Sequence, residues 1–168
     1  LTHFAWTRGI SGLLVTEEMP ARQIINRLDG LHAQVPYDDL RRGLLNTEDE
    51  IRYRDMLDSL DSSTRLVVTG QGGETMGDVA SKIERHRPGL VAIDGMYLMR
   101  DQRNARADWL RIVNIARDAK LLAKNCRKTT GWRGVPPRRP PIIVSVQFSK
   151  EATEGSGEAR NIAYADIA

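Results

Sequence analysis

An apolar run that ends in a single carboxylate is the first feature of this sequence that suggests chemistry. The run reads Val91, Ala92, Ile93, Asp94. A buried strand that places an aspartate at its carboxyl end can hold a magnesium ion through water, beside the phosphates of a nucleotide. A strand-end aspartate can also simply cap the following turn, so this motif alone leaves both interpretations open.

Two more carboxylates, Glu17 and Glu18, follow another apolar run and precede Met19 and Pro20. A carboxylate held near a metal-bound nucleotide can deprotonate the water that attacks the γ-phosphate. The alternative is that both acids lie at the start of a helix, where the helix dipole favours negative charge. At most one of the two is needed for catalysis.

A neutral amide, Gln147, follows a third apolar run, Ile142 to Val144, and Ser145. An amide at a strand end can sense whether a γ-phosphate is present, because it gains or loses a hydrogen bond on hydrolysis. The alternative is an amide that bonds only to the neighbouring backbone. The combination of the three signals in this order is more informative than any one of them.

The elements that must position these groups alternate along the chain. The predicted strands are Gly12–Glu17, Leu66–Thr69, Leu90–Asp94 and Ile142–Gln147, and the predicted helices are Ala21–Ala33, Tyr37–Gly43, Thr47–Leu60, Met76–Arg87 and Asp108–Lys124. Thr47 and Glu50 have the spacing of a capping box at the start of the third helix. This alternation predicts a three-layer α/β domain with a mostly parallel sheet. Ligands bind at the carboxyl ends of such strands, so we expect Glu18, Asp94 and Gln147 to lie close together.

A basic segment interrupts this pattern between Lys124 and Arg139. It contains no acidic residue, it has two prolines with a third, Pro140, directly after it, and its cations are Lys124, Arg127, Lys128, Arg133, Arg138 and Arg139. Because it enters the last strand at its amino end, we expect it on the opposite side from the ligand-binding strand ends. It is either a solvated loop with Trp132 against the core, or a surface that binds nucleic acid or another partner.

Composition excludes several classes of protein. The 168 residues are 40% hydrophobic and 28% charged with a formal net charge of +3, which is ordinary for one globular domain over residues 1–168 with a basic insertion at about 125–140. No apolar run approaches the roughly 20 residues that span a bilayer. The single cysteine, Cys126, excludes an internal disulfide, and the three histidines are too scattered for a zinc site.

Four segments resemble the C-terminal ATPase domain of DnaB-type replicative DNA helicases. They are L-L-V-T-E-E-M-P-A-R-Q-I-I-N-R-L from Leu13 to Leu28, G-L-V-A-I-D-G-M-Y-L-M from Gly89 to Met99, I-A-R-D-A-K-L-L-A-K from Ile115 to Lys124, and Ile142 to Lys150 with its Ser-x-Gln. The resemblance extends over essentially the whole chain, and these segments follow one another in the family's order. The resemblance implies a RecA-like domain of the P-loop NTPase class.

The resemblance also implies roles for single residues. Glu18 would be the water-activating carboxylate and Glu17 its non-catalytic neighbour, Asp94 would hold Mg²⁺ through water, and Gln147 would sense the nucleotide. Catalysis would then involve Glu18 and Gln147, and all three groups would contact ATP with its Mg²⁺.

For partners, the resemblance implies single-stranded DNA held by two loops. The first loop offers Arg100, Arg103 and Arg106, and the second offers Lys150 and Arg160. The parent protein would be a homohexamer in the cytoplasm of a bacterial or phage-infected cell, with no membrane contact and with a primase as a further partner. Arg27 falls at a family position near the subunit boundary, but we interpret it first as a solvent-facing arginine of its helix.

The sequence also departs from the family pattern. It has no G-x-x-x-x-G-K-[ST] phosphate loop, and Gly70 to Gly73 lacks the lysine, so we interpret it as a turn. Leu1 to Gly9 resembles the helix that follows such a loop, and the sequence stops before the family's last strands and arginine finger. We therefore expect a domain truncated at both ends and inactive alone. Glu158 stands where the family has an arginine, and the insertion at Thr129 to Arg139 has no counterpart.

Two alternatives compete with the helicase interpretation. One is another RecA-type ATPase, such as a recombinase relative or a circadian-clock-like ATPase, which would use the same strand-end carboxylates. The Met19-Pro20 pair and the spacing from Gln147 to Lys150 favour the helicase. The other alternative is a non-catalytic α/β module without a phosphate loop.

Overall fold

The computed structural model of the chain describes residues 8–60, 66–70, 72–129 and 136–146. Four parallel strands form one sheet in the order β2-β1-β3-β4. The strands are β1 (Gly12–Thr16), β2 (Leu66–Thr69), β3 (Leu90–Asp94) and β4 (Ile142–Val144). The ends of β1, β3 and β4 are therefore neighbours, which is the order that the candidate site requires.

Five helices that lie wholly within the described residues connect or follow these strands. They are α1 (Ala21–Ala33), α2 (Tyr37–Arg42), α3 (Thr47–Ser59), α4 (Met76–His86) and α5 (Asp108–Asn125), and a 3-10 turn (Met96–Leu98) follows β3. The predicted α/β alternation is confirmed, with most boundaries within one residue. No helix in the part of the chain that the structure describes is long and apolar enough to cross a membrane.

The main core lies between one face of the sheet and the helices α4 and α5. Alternate strand residues point to this face, so Leu13 and Val15 of β1 and Val91 and Ile93 of β3 are at most 1% exposed. They pack with Val79 and Ile83 of α4 and with Ile115 of α5. Burying one such side chain contributes about 1.5–3 kcal/mol to the hydrophobic driving force for folding.

The opposite face of the sheet is less covered by the described residues. Leu14, Ala92 and Ile143 are register partners in a row across β1, β3 and β4, and Ile143 is 57% exposed. Away from this row, α1, α2 and α3 form a small second cluster around Ala33, Val35 and Met56. The chain therefore folds around one principal core that supports the strand ends.

The capping box predicted at Thr47 and Glu50 is wrong by one residue. The N-cap of α3 is Asn46, whose side chain accepts a hydrogen bond of 2.9 Å from the Asp49 backbone N–H. The amide of Asn46 also donates to the Asp49 carboxylate at 2.8 Å. Asparagine is an equally good N-cap, and its position one residue earlier explains the shift.

Candidate functional site

The turn that presents the two glutamates is held by Thr16 at the end of β1. Thr16 is 1% exposed, and its hydroxyl donates to the Met19 carbonyl at 3.1 Å and accepts from the Met19 N–H at 3.2 Å. Pro20 then precedes α1 with a φ of −57° that suits entry into a helix. The strand ends at Thr16 and not at Glu17, because this side-chain bond closes a turn there.

Glu17 and Glu18 have different environments. The Glu17 carboxylate accepts hydrogen bonds from the backbone N–H groups of Gly73 and Glu74, so it fixes the loop that precedes α4. Glu18 is exposed at the top of the turn, and no hydrogen bond or ion pair holds its side chain within the described residues. The geometry thus leaves Glu18 available for chemistry and makes Glu17 structural, while the catalytic role of Glu18 stays a prediction.

Asp94 lies at the end of β3, beside the glutamate turn. The Glu17 N–H donates to the Asp94 carbonyl at 2.9 Å. The next residue, Gly95, has a φ of +81°, and a Cβ placed there would be 3.5 Å from the Cβ atoms of both Glu17 and Glu18. A glycine adopts this left-handed conformation without strain, which lets the two strand ends approach closely.

Ser145, just beyond β4, fixes the Asp94 carboxylate. Its hydroxyl donates to Asp94 Oδ1 at 2.7 Å and accepts from the Gly95 N–H at 2.9 Å. Its own N–H donates to the Ile93 carbonyl at 2.9 Å. In the sequence, Ser145 stands out only as part of the Ser-x-Gln motif, which indicates no role for its hydroxyl. A hydroxyl placed two residues before the sensor amide was the available signal.

Tyr97 is a second residue near the site that the sequence did not indicate. Desolvation raises the pKa of its phenol above the ordinary value, and the negative charges of Glu18 and then Asp94 raise that pKa further. Both carboxylates therefore act on one hydroxyl group, which stays protonated at neutral pH. The Tyr97 phenol thus lies near both Glu18 and Asp94.

The third predicted site residue, Gln147, lies outside the described residues. The structure places Ser145 and Val146 directly after β4, next to the end of β3. The strand order is therefore the expected one, and the position and sensor role of Gln147 stay predictions.

Magnesium fits the donors that are present. Mg²⁺ is usually bound through one or two carboxylates, several waters and phosphate oxygens, and not by a cage of protein ligands alone. Asp94 and Glu18 supply such carboxylates. No group of three or more His, Cys, Asp and Glu side chains in the described ranges could hold a metal ion by itself. The arrangement suits a metal that is shared with a nucleotide.

The loop after β3 is attached to the rest of the fold by several of the arginines expected to contact DNA. The Arg100 side chain donates through Nε to the Gly73 carbonyl, and the Arg100 backbone N–H donates to the Glu74 carbonyl at 2.9 Å. The Arg103 guanidinium makes two bonds of 2.6 and 2.8 Å to Asp118 on α5. Arg106 is exposed, and no hydrogen bond or ion pair holds its side chain within the described residues. Of the three arginines, Arg106 has all its donors available.

Asp101 organises this loop from inside. It is 5% exposed and accepts hydrogen bonds from Arg103 N–H at 3.0 Å, Ala105 N–H at 3.1 Å and Asn114 Nδ2 at 2.9 Å. Desolvation alone would raise its pKa, but these hydrogen bonds and the Arg103 charge hold the pKa of Asp101 below its usual value. The carboxylate therefore stays ionised and keeps the loop in one conformation.

Arg111 attaches the same loop to α5. One nitrogen of its guanidinium donates to the carbonyls of Tyr97 at 2.9 Å and Met99 at 3.0 Å. The loop between β3 and α5 is thus held at several points and follows the position of that helix.

The described parts of the basic segment, residues 124–129 and 136–139, lie near the amino end of β3, on the side predicted. Thr129 and Arg138 form an antiparallel bridge, and the Thr129 hydroxyl donates to the carbonyl of Pro88, just before β3, at 2.6 Å. Cys126, close to this bridge, is buried, and desolvation raises the pKa of its thiol. The residues Trp132, Arg133, Lys150, Glu158 and Arg160 lie outside the described ranges.

Solved structures share this fold. One is a DnaB-like replicative helicase described with its interactions with primase, with a TM-score of 0.65 and 18% identity over 80% of this chain and 31% of that chain. Another is described as an ATPase domain, with a TM-score of 0.70 and 18% identity over 86% of this chain and 49% of that chain. The chain thus spans about a third to a half of the length of these two structures. No curated protein matches it.

The comparison of sequence with protein families is decisive. Residues 2–130 match the family described as the DnaB-like helicase C terminal domain. They include β1, β3, both glutamates and Asp94. The predicted RecA-like α/β fold and the predicted family are confirmed. The chain belongs to the family of DnaB-like helicase C-terminal domains.

Proposed function

We propose that this chain is part of the ATPase core of a replicative DNA helicase, in which ATP hydrolysis drives movement along single-stranded DNA and unwinding of the duplex. The main observation is that Glu18 and Asp94 converge at neighbouring strand ends, with Ser145 holding the Asp94 carboxylate. Family membership supports the same reaction. Residues 1–168 would form a single, partial RecA-like domain, with the basic segment as an insertion.

In this mechanism Glu18 accepts the proton of the attacking water. Its exposed carboxylate has no competing hydrogen bond in the described chain, so it is free to orient that water. Asp94 accepts a hydrogen bond from Ser145 at one oxygen, which leaves the other oxygen for a water ligand of the metal. Bound Mg²⁺ would neutralise the charge that develops on the phosphates of ATP. The Tyr97 phenol lies within the field of both carboxylates and keeps its proton there.

The remaining roles follow from the family. Gln147 would sense the γ-phosphate, and Arg106, with Lys150 and Arg160, would contact the DNA backbone. Because Arg100 and Arg103 are engaged within the chain, we assign them first to holding the loop. The working form would be a cytoplasmic homohexamer, and a primase is the expected partner, since a DnaB-like relative is described with one.

The alternative of a different RecA-type ATPase uses the same carboxylates, and the family match favours the helicase over it. A non-catalytic module is the second alternative. The discriminating experiment uses protein expressed from the coding region extended on both sides of residues 1–168. Phosphate release is measured with and without single-stranded DNA.

We expect Glu18→Gln to lower kcat by about 10²–10⁴-fold while nucleotide affinity is retained, because only the general base is lost. The matched control is Glu17→Gln, which changes the adjacent acid and leaves the base in place. Wild-type turnover in Glu18→Gln would contradict the proposed site. An extended protein with no phosphate loop and no hydrolysis would support the non-catalytic module.

A further inference from the structure

Six exposed cations lie together at the amino edge of the sheet. We call this group the basic edge, and its members are Arg87, Lys124, Arg127, Lys128, Arg138 and Arg139. They come from three segments: the end of α4, the end of α5 and the approach to β4. The five residues of β3 span about 16 Å between this edge and Asp94, so the basic edge is separate from the nucleotide site.

Specific bonds hold the three segments next to one another. The Thr129 hydroxyl joins the segment after α5 to Pro88, next to Arg87, and its backbone pairs with Arg138 through bonds of 2.7 and 3.1 Å. Arg139 Nε donates to the Cys126 carbonyl at 3.1 Å. The cations are therefore positioned by the fold, and binding a ligand does not require the segments to be ordered first.

For five of these cations, Arg87, Lys124, Arg127, Lys128 and Arg139, the described residues supply one acidic partner. Within the described residues, Arg127 pairs with Glu84 at 3.9 Å, and both side chains are more than half exposed. An exposed pair of this kind contributes little. The helix dipole explains a cation in the last turn of α5, such as Lys124, but its effect ends within that turn. Like charges held close together repel one another, so the number of cations at this edge favours the binding of a polyanion.

The chemistry of the surface favours nucleic acid over an acidic protein. Four of the six cations are arginines, whose planar guanidinium can bind a phosphate through two parallel hydrogen bonds. Protein interfaces contain an apolar centre. None of the exposed large hydrophobic side chains of the described chain lies within residues 84–88, 124–129 or 136–141.

We propose that the basic edge binds the phosphate backbone of nucleic acid, as a second contact separate from the loops at the carboxyl ends of the strands. The contact is independent of sequence and sensitive to salt. In a protein that separates two strands, it would hold a segment of DNA on the far side of the sheet from the ATP site.

The test measures binding of the full chain to a fluorescein-labelled oligothymidylate and to a labelled duplex, by anisotropy, over a series of salt concentrations. The variant is Arg127→Gln with Lys128→Gln. We expect affinity to fall by roughly tenfold, and the slope of log K against log salt to decrease by about 1.5, since each phosphate contact contributes about 0.7–0.9. The matched control is Arg22→Gln with Arg42→Gln, two exposed cations in α1 and α2.

Each outcome decides the matter. The proposal would be overturned if both double variants weakened binding equally. It would also be overturned if neither variant changed the affinity. Binding to polyglutamate with no binding to DNA would instead indicate an acidic protein partner, and would overturn it too. Circular dichroism confirms that each variant is folded. The result is also distinct from the proposed function, since Arg106→Gln tests the loop contact and Glu18→Gln should leave the binding of DNA by the basic edge unchanged.

Discussion

The two edges of the sheet differ in how their charges are satisfied. At the carboxyl edge most charged groups have partners inside the chain: Glu17 with the loop before α4, Lys82 with Glu74, and Arg103 with Asp118. At the amino edge, the ion pair among the described residues is that of Arg127 with the exposed Glu84. Where charges are paired internally they position a structure, and where they are in excess they are available to a ligand.

The same contrast occurs within the carboxyl edge. Glu17 and Glu18 are adjacent and identical in type, but Glu17 is used by the fold and Glu18 is exposed. Arg103 and Arg106 differ in the same way. In each pair, the residue that is exposed and has no partner in the described chain is the one for which chemistry or binding is expected. The following predictions test this division, beginning with the largest expected effect.

Substitution of Gly70 should have the largest effect on folding. A Cβ at this position would lie 2.6 Å from the Thr16 carbonyl oxygen and 2.8 Å from Thr16 Cγ2. Gly70→Ala should therefore displace the glutamate turn and lower the free energy of unfolding by about 2–4 kcal/mol. Urea unfolding measures the loss. In the control Gly43→Ala there is open space but a φ of +70°, so a loss of about 1 kcal/mol is expected. Equal losses would contradict the close approach.

Removal of the Ser145 hydroxyl should affect turnover more than folding. Ser145→Ala leaves Asp94 without its orienting donor, so we expect kcat of the extended protein to fall by about 10–100-fold, as for other residues that orient metal-binding groups. The Mg²⁺ concentration at half-maximal activity should rise. Ser145→Thr retains the hydroxyl and should recover part of the activity. If Ser145→Ala has normal turnover, the Asp94 bond has no function.

The acid stability of the chain should depend on Asp101. The pKa of Asp101 is lower in the folded state than its ordinary value of about 4, so its contribution to stability is present above that pH and is lost as the pH falls through the lower folded pKa. Asp101→Asn should therefore lose less stability than wild type when the pH is reduced below about 4. Urea titrations at several pH values measure this. Asp58→Asn, an exposed acid in α3, should follow wild type.

The smallest effect is expected at the basic edge. Lys128 is exposed and makes no ion pair within the described chain, so Lys128→Gln should change the free energy of unfolding by less than about 0.5 kcal/mol. The same urea experiment measures it. A large loss of stability would show that the cation is needed for folding, and the contrast between the two edges would fail.

The sequence predicted the elements well because their patterns are local. Strands such as Leu90–Asp94 are short apolar runs, and helices such as Met76–His86 have apolar residues at helical spacing. The rule that ligands bind at the carboxyl ends of parallel strands then predicted that Glu18 and Asp94 would lie close together. Such arguments depend only on which faces are buried and on the way parallel strands are connected.

Contacts between distant residues could not be predicted. The bond between Ser145 and Asp94 joins residues 51 positions apart, and the one between Gly73 and Glu17 joins residues 56 apart. Arg103 resembled Arg106 in the sequence, and the ion pairs of Arg103 with Asp118 and Asp101 distinguish them. Side-chain pairing depends on tertiary geometry, so the sequence named candidate groups without dividing them into structural and available ones.

Helix α5 joins the two edges. It begins near the loop that Arg111 attaches and ends at Lys124 and the basic edge. Its 18 residues are about 27 Å long, so a rotation of about 5° at one end displaces the other by about 2 Å. If the end of a strand shifts with the state of the nucleotide, α5 would therefore be expected to move the cations at its far end as well. The helix would couple ATP hydrolysis to the binding of a distant stretch of polynucleotide.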